Sequence, residues 1–176
     1  MVETACYRVA QFLRALTVRV PEEEVEQAIH ILTPEARGLF RRQAAQDQRH
    51  ALAVYHTLCQ AGHAHPQLLA AALLHDVGKS AARLPAWQRA AIVLLERLAP
   101  RLLASLSQGE PRGWRHACVV HARHPEVGAR WAQEAGCSPL TVALIRRHQD
   151  RLAIGSSFAV EENQLLAALQ AADSMN

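Results

Sequence analysis

Apolar residues recur at three- and four-residue intervals along nearly the whole chain, and no run alternates or is rich in β-branched residues. The pattern predicts an all-α fold. Proline, glycine and capping residues divide it into segments. A first helix is expected over residues 4–18. A second begins at Pro21, where proline fits the first helical turn and Glu22, Glu23 and Glu24 suit the positive end of the dipole. Thr33, standing before Pro34, is the expected N-cap of a third helix that runs to about Gln43. Three further helices are expected over 47–61, 66–77 and 85–98, with Gly62 and Gly78 placed where left-handed C-terminal caps would stand. After a looser stretch at 105–113, helices fit 114–124, 125–134, 139–150 and 161–173, with 152–159 as a connecting loop.

Composition narrows the class. Of 176 residues, 50% are hydrophobic and 20% charged, which excludes collagen-like, disulfide-rich and disordered chains. A chain of this length can bury about two-thirds of its unfolded surface in one core, so one compact unit is expected. The net charge of +3 comes with no basic tail, so nucleic acid is not an expected partner. Cys6, Cys59, Cys118 and Cys137 form no CxxC pair and read as small apolar residues of a reducing compartment. Glu3 and Arg8 interrupt the N-terminal run, and no stretch approaches the roughly 18 apolar residues of a membrane span. A cytoplasmic protein is the expectation. Trp87, Trp114 and Trp131 sit among leucine and alanine and are expected to pack in the core or a groove.

Two features stand out from this ordinary background: ten histidines against four aspartates, and a single lysine, Lys79, among 19 basic residues. The sharpest local feature is Leu73-Leu74-His75-Asp76-Val77-Gly78-Lys79, a His-Asp pair closing a strongly apolar helix. Both polar side chains continue faces that otherwise point to the core. A buried carboxylate costs several kcal/mol, on the order of a lost ion pair or more, unless it is paired or coordinates a metal. Further ligands are at hand on other helices. His50 shares a face with Asp47, Ala51, Val54 and Leu58, and Asp173 follows Leu166 and Leu169 on one face of the last helix. His50, His75, Asp76 and Asp173 would thus point inward together, a mixed imidazole and carboxylate set suited to Mn, Fe, Co, Ni or Mg in one or two copies.

The order His50, His75-Asp76, Asp173 resembles the H…HD…D signature of the HD-domain metal-dependent phosphohydrolase superfamily. The resemblance covers roughly residue 45 to the C-terminus. It implies an HD-domain helical bundle over 45–176, with 1–44 as an N-terminal helical extension, and a hydrolase acting on a phosphate ester or anhydride, of a nucleotide. In similar proteins the lysine of the HDxGK form lies near the substrate phosphate, and Lys79 matches it. His124-Pro125-Glu126-Val127-Gly128 is similar to the H-P-x-x-G segment of members that hold two metals, and His148 matches the histidine that follows. In that subgroup Asp76 would bridge the metals, with His124 and His148 serving the second. The text His148-Gln149-Asp150-Arg151 lacks the double histidine of the HD-GYP branch, which disfavours cyclic di-GMP hydrolysis.

The implied chemistry is in-line attack of activated water on phosphorus, with Asp76 and Lys79 as the catalytic groups. Arg49, Arg123, Arg146 and Arg147 lie near the ligands in sequence and are candidates for phosphate contacts. Two other readings remain open: an HD-type diiron oxygenase acting on a small substrate, and a nucleotide-binding regulatory module with little turnover. His30, His56, His63 and His65 carry no special expectation, and His121 and His116 compete with His124 on spacing alone.

Overall fold

The computed structural model describes residues 20–82, 84–110, 113–150 and 160–176. Among these residues every regular element is helical and none is a strand. The α-helices are α1 (Glu22–Ile29), α2 (Pro34–Arg42), α3 (Ala45–Gln60), α4 (Pro66–Leu74), α5 (Ala86–Leu98), α6 (Pro100–Leu106), α7 (His116–Glu134), α8 (Pro139–Arg147) and α9 (Val160–Met175). Short 3₁₀ segments lie at Val77–Ala81 and Gly113–Arg115. No helix among the described residues is long and apolar enough to cross a membrane. The expected helix at 4–18 and loop at 152–159 lie outside the described residues, as do Cys6 and the Trp114 side chain.

The centre of the bundle is α4, whose sequence is apolar on every side. A helix of that kind is stable only when neighbours cover it all round. Leu68, Leu69, Ala71, Ala72, Leu73 and Leu74 are all buried, with α2, α3, α8 and α9 packed around them. Phe40 of α2, Ile29 of α1, Leu52 and Leu58 of α3, Leu144 and Ile145 of α8, and Leu166 and Leu169 of α9 complete one core. A smaller cluster of Ile92, Leu103, Ala117 and Cys118 lies under α5 and α6.

Local capping chemistry agrees with the helix starts. Thr33 Oγ1 accepts from Ala36 N at 3.1 Å, and Ser138 Oγ accepts from Thr141 N at 3.2 Å, each just before a proline at the first helical turn. Gly62 has φ 83° and closes α3 in the left-handed region.

Several boundaries differ from expectation. The expected helix at 66–77 stops at Leu74 and passes into the 3₁₀ turn, and the one at 139–150 stops at Arg147. The separate helices expected at 114–124 and 125–134 are one continuous α7 with Pro125 inside it. Helix α6 begins at Pro100 and runs into the stretch expected to be loose, because proline at the first turn starts a helix as readily as it ends one. Gly78 is not a left-handed cap, since its φ is not positive. Trp87 is 69% exposed, so it does not pack in the core, whereas Trp131 is half-buried with the Arg42 guanidinium 4.8 Å from its ring centre.

Candidate metal centre

Three histidines are aimed by one backbone device. His75 and His148 are the residues that close α4 and α8, each still in helical conformation. Carbonyls in the last turn of a helix have no intrahelical donor. His75 Nδ1 takes one of them, Ala72 O at 2.9 Å, and His148 Nδ1 takes another, Ile145 O at 2.7 Å. His124 lies inside α7, where carbonyls are normally engaged. Its Nδ1 nevertheless donates to His121 O, because the residue that would ordinarily donate to that carbonyl is Pro125, which has no N–H. In each neutral ring the proton is therefore on Nδ1, and Nε2 presents a lone pair.

These lone pairs converge on Asp76. Its Oδ1 lies 3.2 Å from His124 Nε2 and 3.8 Å from His148 Nε2. Its Oδ2 lies 3.5 Å from His75 Nε2, 3.9 Å from His50 Nε2 and 2.6 Å from Lys79 Nζ. Asp173, brought in by α9, has its Oδ1 2.8 Å from His50 Nε2 and 3.6 Å from His75 Nε2. One carboxylate thus divides two groups of nitrogen atoms, one on each oxygen. The floor is dry: His75 and His124 are fully buried, Asp76 and His148 nearly so, while His50 and Asp173 stand half-buried at the rim.

The field of the site favours positive charge. Burial opposes ionisation of Asp76, but His75, Lys79 and His124 outweigh it and hold the carboxyl well below its usual range. Asp173 is likewise held down against burial by its hydrogen bond to His50 and the nearby His75 ring. Burial works against a charged His75, and Asp76 and Asp173 overcome it, raising its pKa. Burial, aided by His75, pushes His148 down to about 3, so this ring stays neutral near pH 7. Asp47, buried on α3 one turn before His50, adds a further carboxylate whose charge acts on Lys79. Three of the chain's four aspartates gather here around one ammonium.

The donor set fits divalent cations. Two groups of ligand atoms lie within 4.8 Å of one another: His50, His75 and Asp76, and Asp76, His124 and His148. Ligands each about 2.1 Å from one ion stand no more than about 4.2 Å apart, and every distance given above from Asp76 to a histidine satisfies that. His75 Nε2 is buried and has no hydrogen-bond partner. His124 Nε2 and His148 Nε2 face each other at 3.2 Å although both rings carry their proton on Nδ1. Buried lone pairs left in this way are costly without a proton or a cation between them. The histidine and carboxylate groups could therefore hold one or two metal ions. Comparison with family models, with curated proteins and with solved structures gives no match for the chain.

All seven residues singled out in the sequence lie in this one place. Three of the four candidate arginines are engaged elsewhere. Arg123 donates to Gly109 O at 3.0 Å, Arg146 to Glu126 at 3.2 Å, and Arg147 to Asn163 at 3.1 Å and also to Glu162. Each of the three thus has a carbonyl, amide or carboxylate partner of its own. Three further residues contribute beyond the seven. Asp47 shares the helical face of His50, as its spacing predicts, but carries no expected role there. Pro125 signals the freed carbonyl, and Gln170 Nε2, which donates to His148 O at 3.0 Å and Asp150 O at 2.8 Å, has no local signal.

Proposed function

We propose that the chain is a metal-dependent phosphohydrolase of the HD-domain type, cleaving a phosphate ester or anhydride, with a nucleotide as the substrate class. The observation that carries this reading is the division of Asp76 between two histidine groups, one on each carboxylate oxygen. A carboxylate with imidazoles beside each oxygen is an arrangement that could hold two hydrolytic metal ions side by side. On this reading His50, His75, Asp76 and Asp173 hold the first ion, and Asp76, His124 and His148 the second. Bound divalent ions supply a water of lowered pKa and polarise a phosphoryl oxygen. The chain's own residues do the rest. The carbonyl bonds at Ala72, His121 and Ile145 keep the rings from turning. The buried floor excludes bulk water and strengthens every charge interaction in the site. Lys79, paired with Asp76 and one-third exposed, is the ammonium nearest the centre for a phosphate. Cys59, Cys118 and Cys137 are free thiols, which suits the reducing cytoplasm in which this reading places the protein.

Metal analysis of the purified protein, run beside a phosphate-release screen over mononucleotides, dinucleoside polyphosphates and cyclic nucleotides, tests the proposal. Bound metal and phosphate release that are both lost in Asp76→Ala are the expected result. Bound iron with oxygen-dependent turnover of a substrate lacking phosphate would assign an oxygenase instead. Tight nucleotide binding without phosphate release under any of Mn, Fe, Co, Ni or Mg would assign a regulatory module.

A further inference from the structure

Lys79 is the only lysine of the chain, and its ammonium rests on an oxygen that the metal reading needs. Nζ lies 2.6 Å from Asp76 Oδ2, the oxygen that also faces His75 Nε2 at 3.5 Å and His50 Nε2 at 3.9 Å. The opposite oxygen, Oδ1, belongs to His124 and His148. The lysine therefore stands on one half of the centre, the half formed by His50, His75, Asp76 and Asp173. Asp47 and Asp173 add to the attraction that holds it there.

A cation bound by His50, His75 and Asp76 would draw on the same carboxylate oxygen. Two positive centres on one oxygen in a buried site repel strongly. The participants differ in their freedom to yield. His75 is pinned by its bond to Ala72 O, and the backbone carrying Asp76 and Lys79 is pressed against α7, where Gly78 meets His124. The lysine head is carried on a flexible four-carbon stem, and its side chain is 33% exposed. It can leave without any backbone movement.

We propose that Lys79 is an internal counterion for the first metal position, displaced from Asp76 by an incoming divalent cation and thereby delivered to the rim as the group that receives the substrate phosphate. This rests on the phosphohydrolase reading and adds an order to it: metal enters first and makes the phosphate-binding ammonium available. On this order, phosphate binds tightly only once the lysine has left the carboxylate.

The single lysine makes the exchange directly measurable. Amine-directed acetylation of the full chain can modify only Lys79 and the N-terminal amine, which peptide mass mapping separates. The rate at Lys79 is measured in metal-free protein, in protein loaded with Mn²⁺ or Mg²⁺, and in loaded protein with inorganic phosphate added, with the N-terminal amine as internal control. Loading should accelerate Lys79 acetylation by about fivefold or more, and phosphate should slow it again in the loaded protein only. In parallel, Lys79→Met should bind Mn²⁺ about tenfold more tightly than the parent chain, and Lys79→Arg should not. Stoichiometric metal binding with an unchanged or slower Lys79 rate overturns the counterion role while leaving the metal centre intact. Failure to take up any metal overturns the counterion role and the phosphohydrolase reading together. Acceleration that phosphate does not reverse rules out delivery of the lysine to substrate.

Discussion

A Cβ placed on Gly78 would lie 2.0 Å from the carbonyl oxygen of His124 and 2.8 Å from the nitrogen of Gly128. The glycine of the HDxGK segment is thus required by a backbone-to-backbone approach, not by its own φ. The contact is what brings Asp76, two residues before Gly78, within 3.2 Å of His124. Gly128 answers from the other side, where a Cβ would meet Gly78 N at 3.2 Å, Val77 Cγ1 at 3.3 Å and Ile145 Cγ2 at 3.4 Å.

Replacing Gly78 by alanine should therefore push the 3₁₀ turn away from α7 and separate Asp76 from His124 and His148. The expected outcome is loss of the second metal and a destabilisation of about 3 kcal/mol or more, since the clash is with backbone that cannot rotate away. Gly128→Ala meets contacts that are tight but partly side chain, and should cost about 1–2 kcal/mol with both metals retained. Metal stoichiometry and thermal unfolding of the two variants decide the matter. A Gly78→Ala protein that keeps two metals and the parental unfolding temperature would show that the contact positions nothing.

Pro125 makes a different prediction, in which stability and metal affinity move in opposite directions. A proline inside a helix costs about 3 kcal/mol through its missing N–H and its ring. Here the missing N–H is what leaves His121 O to the His124 ring. Pro125→Ala returns a competing donor to that carbonyl. The variant should unfold at a higher temperature than the parent chain yet bind the second metal about tenfold less tightly, the size of effect that loss of a ligand-orienting hydrogen bond has elsewhere. Equal metal affinity, measured by titration against a competing chelator, would mean that the carbonyl bond does not set the ring.

The legible part of this centre was the part that local periodicity controls. His50 on the face of Ala51, Val54 and Leu58, and Asp173 after Leu166 and Leu169, follow from the 3.6-residue repeat alone, and those apolar neighbours are buried as the repeat requires. Where a side chain's role depends on a crossing helix, local pattern was silent. Gly78 looked like a cap because a glycine after a helix commonly is one, and only the approach of α7 reveals the other reason. Pro125 looked like a helix start because the His121 carbonyl it frees is taken up by a side chain, which no propensity rule registers. Arg146 and Arg147 looked available because sequence proximity to His148 says nothing about Glu126 and Glu162, which hold them.

The two halves of the centre should be separable by mutation. His148→Ala removes a ligand whose Nε2 lies against Asp76 Oδ1 and His124 Nε2, so one metal per chain should remain. His50→Ala removes a ligand from the other half, whose remaining members include His75 and Asp173, and should weaken the first ion. Asp76→Ala takes the shared carboxylate and should leave none. Metal content by elemental analysis after dialysis against a weak chelator reads all three. Identical loss in the His50 and His148 variants would argue for a single ion held by the whole set.

Acidification should destabilise the metal-free protein well before Asp76 or Asp173 is protonated. Burial, with His75 beside it, holds His148 at about 3, and burial, with His124 and Lys79, holds His121 at about 4. In the unfolded chain both return to about 6.5. Between those values the unfolded chain binds more protons than the folded one, so stability falls as pH drops below about 6.5. The limiting slope is about 1.4 kcal/mol per pH unit for each histidine, with the share of half-buried His121 reduced by solvent screening. His75 acts the other way, because its pKa is raised on folding. Its contribution is complete below about 6.5 and is lost only as pH rises through its folded value, so it does not cancel the slope on the acid side. Asp76 and Asp173, lowered on folding, keep their contribution until the pH falls below about 3.9. Denaturant unfolding in the presence of chelator at pH 5, 5.75 and 6.5 should therefore give stabilities that rise with pH. His148→Gln combined with His121→Gln should flatten that rise, and a parental curve that is already flat would mean that these rings are not held neutral by the fold.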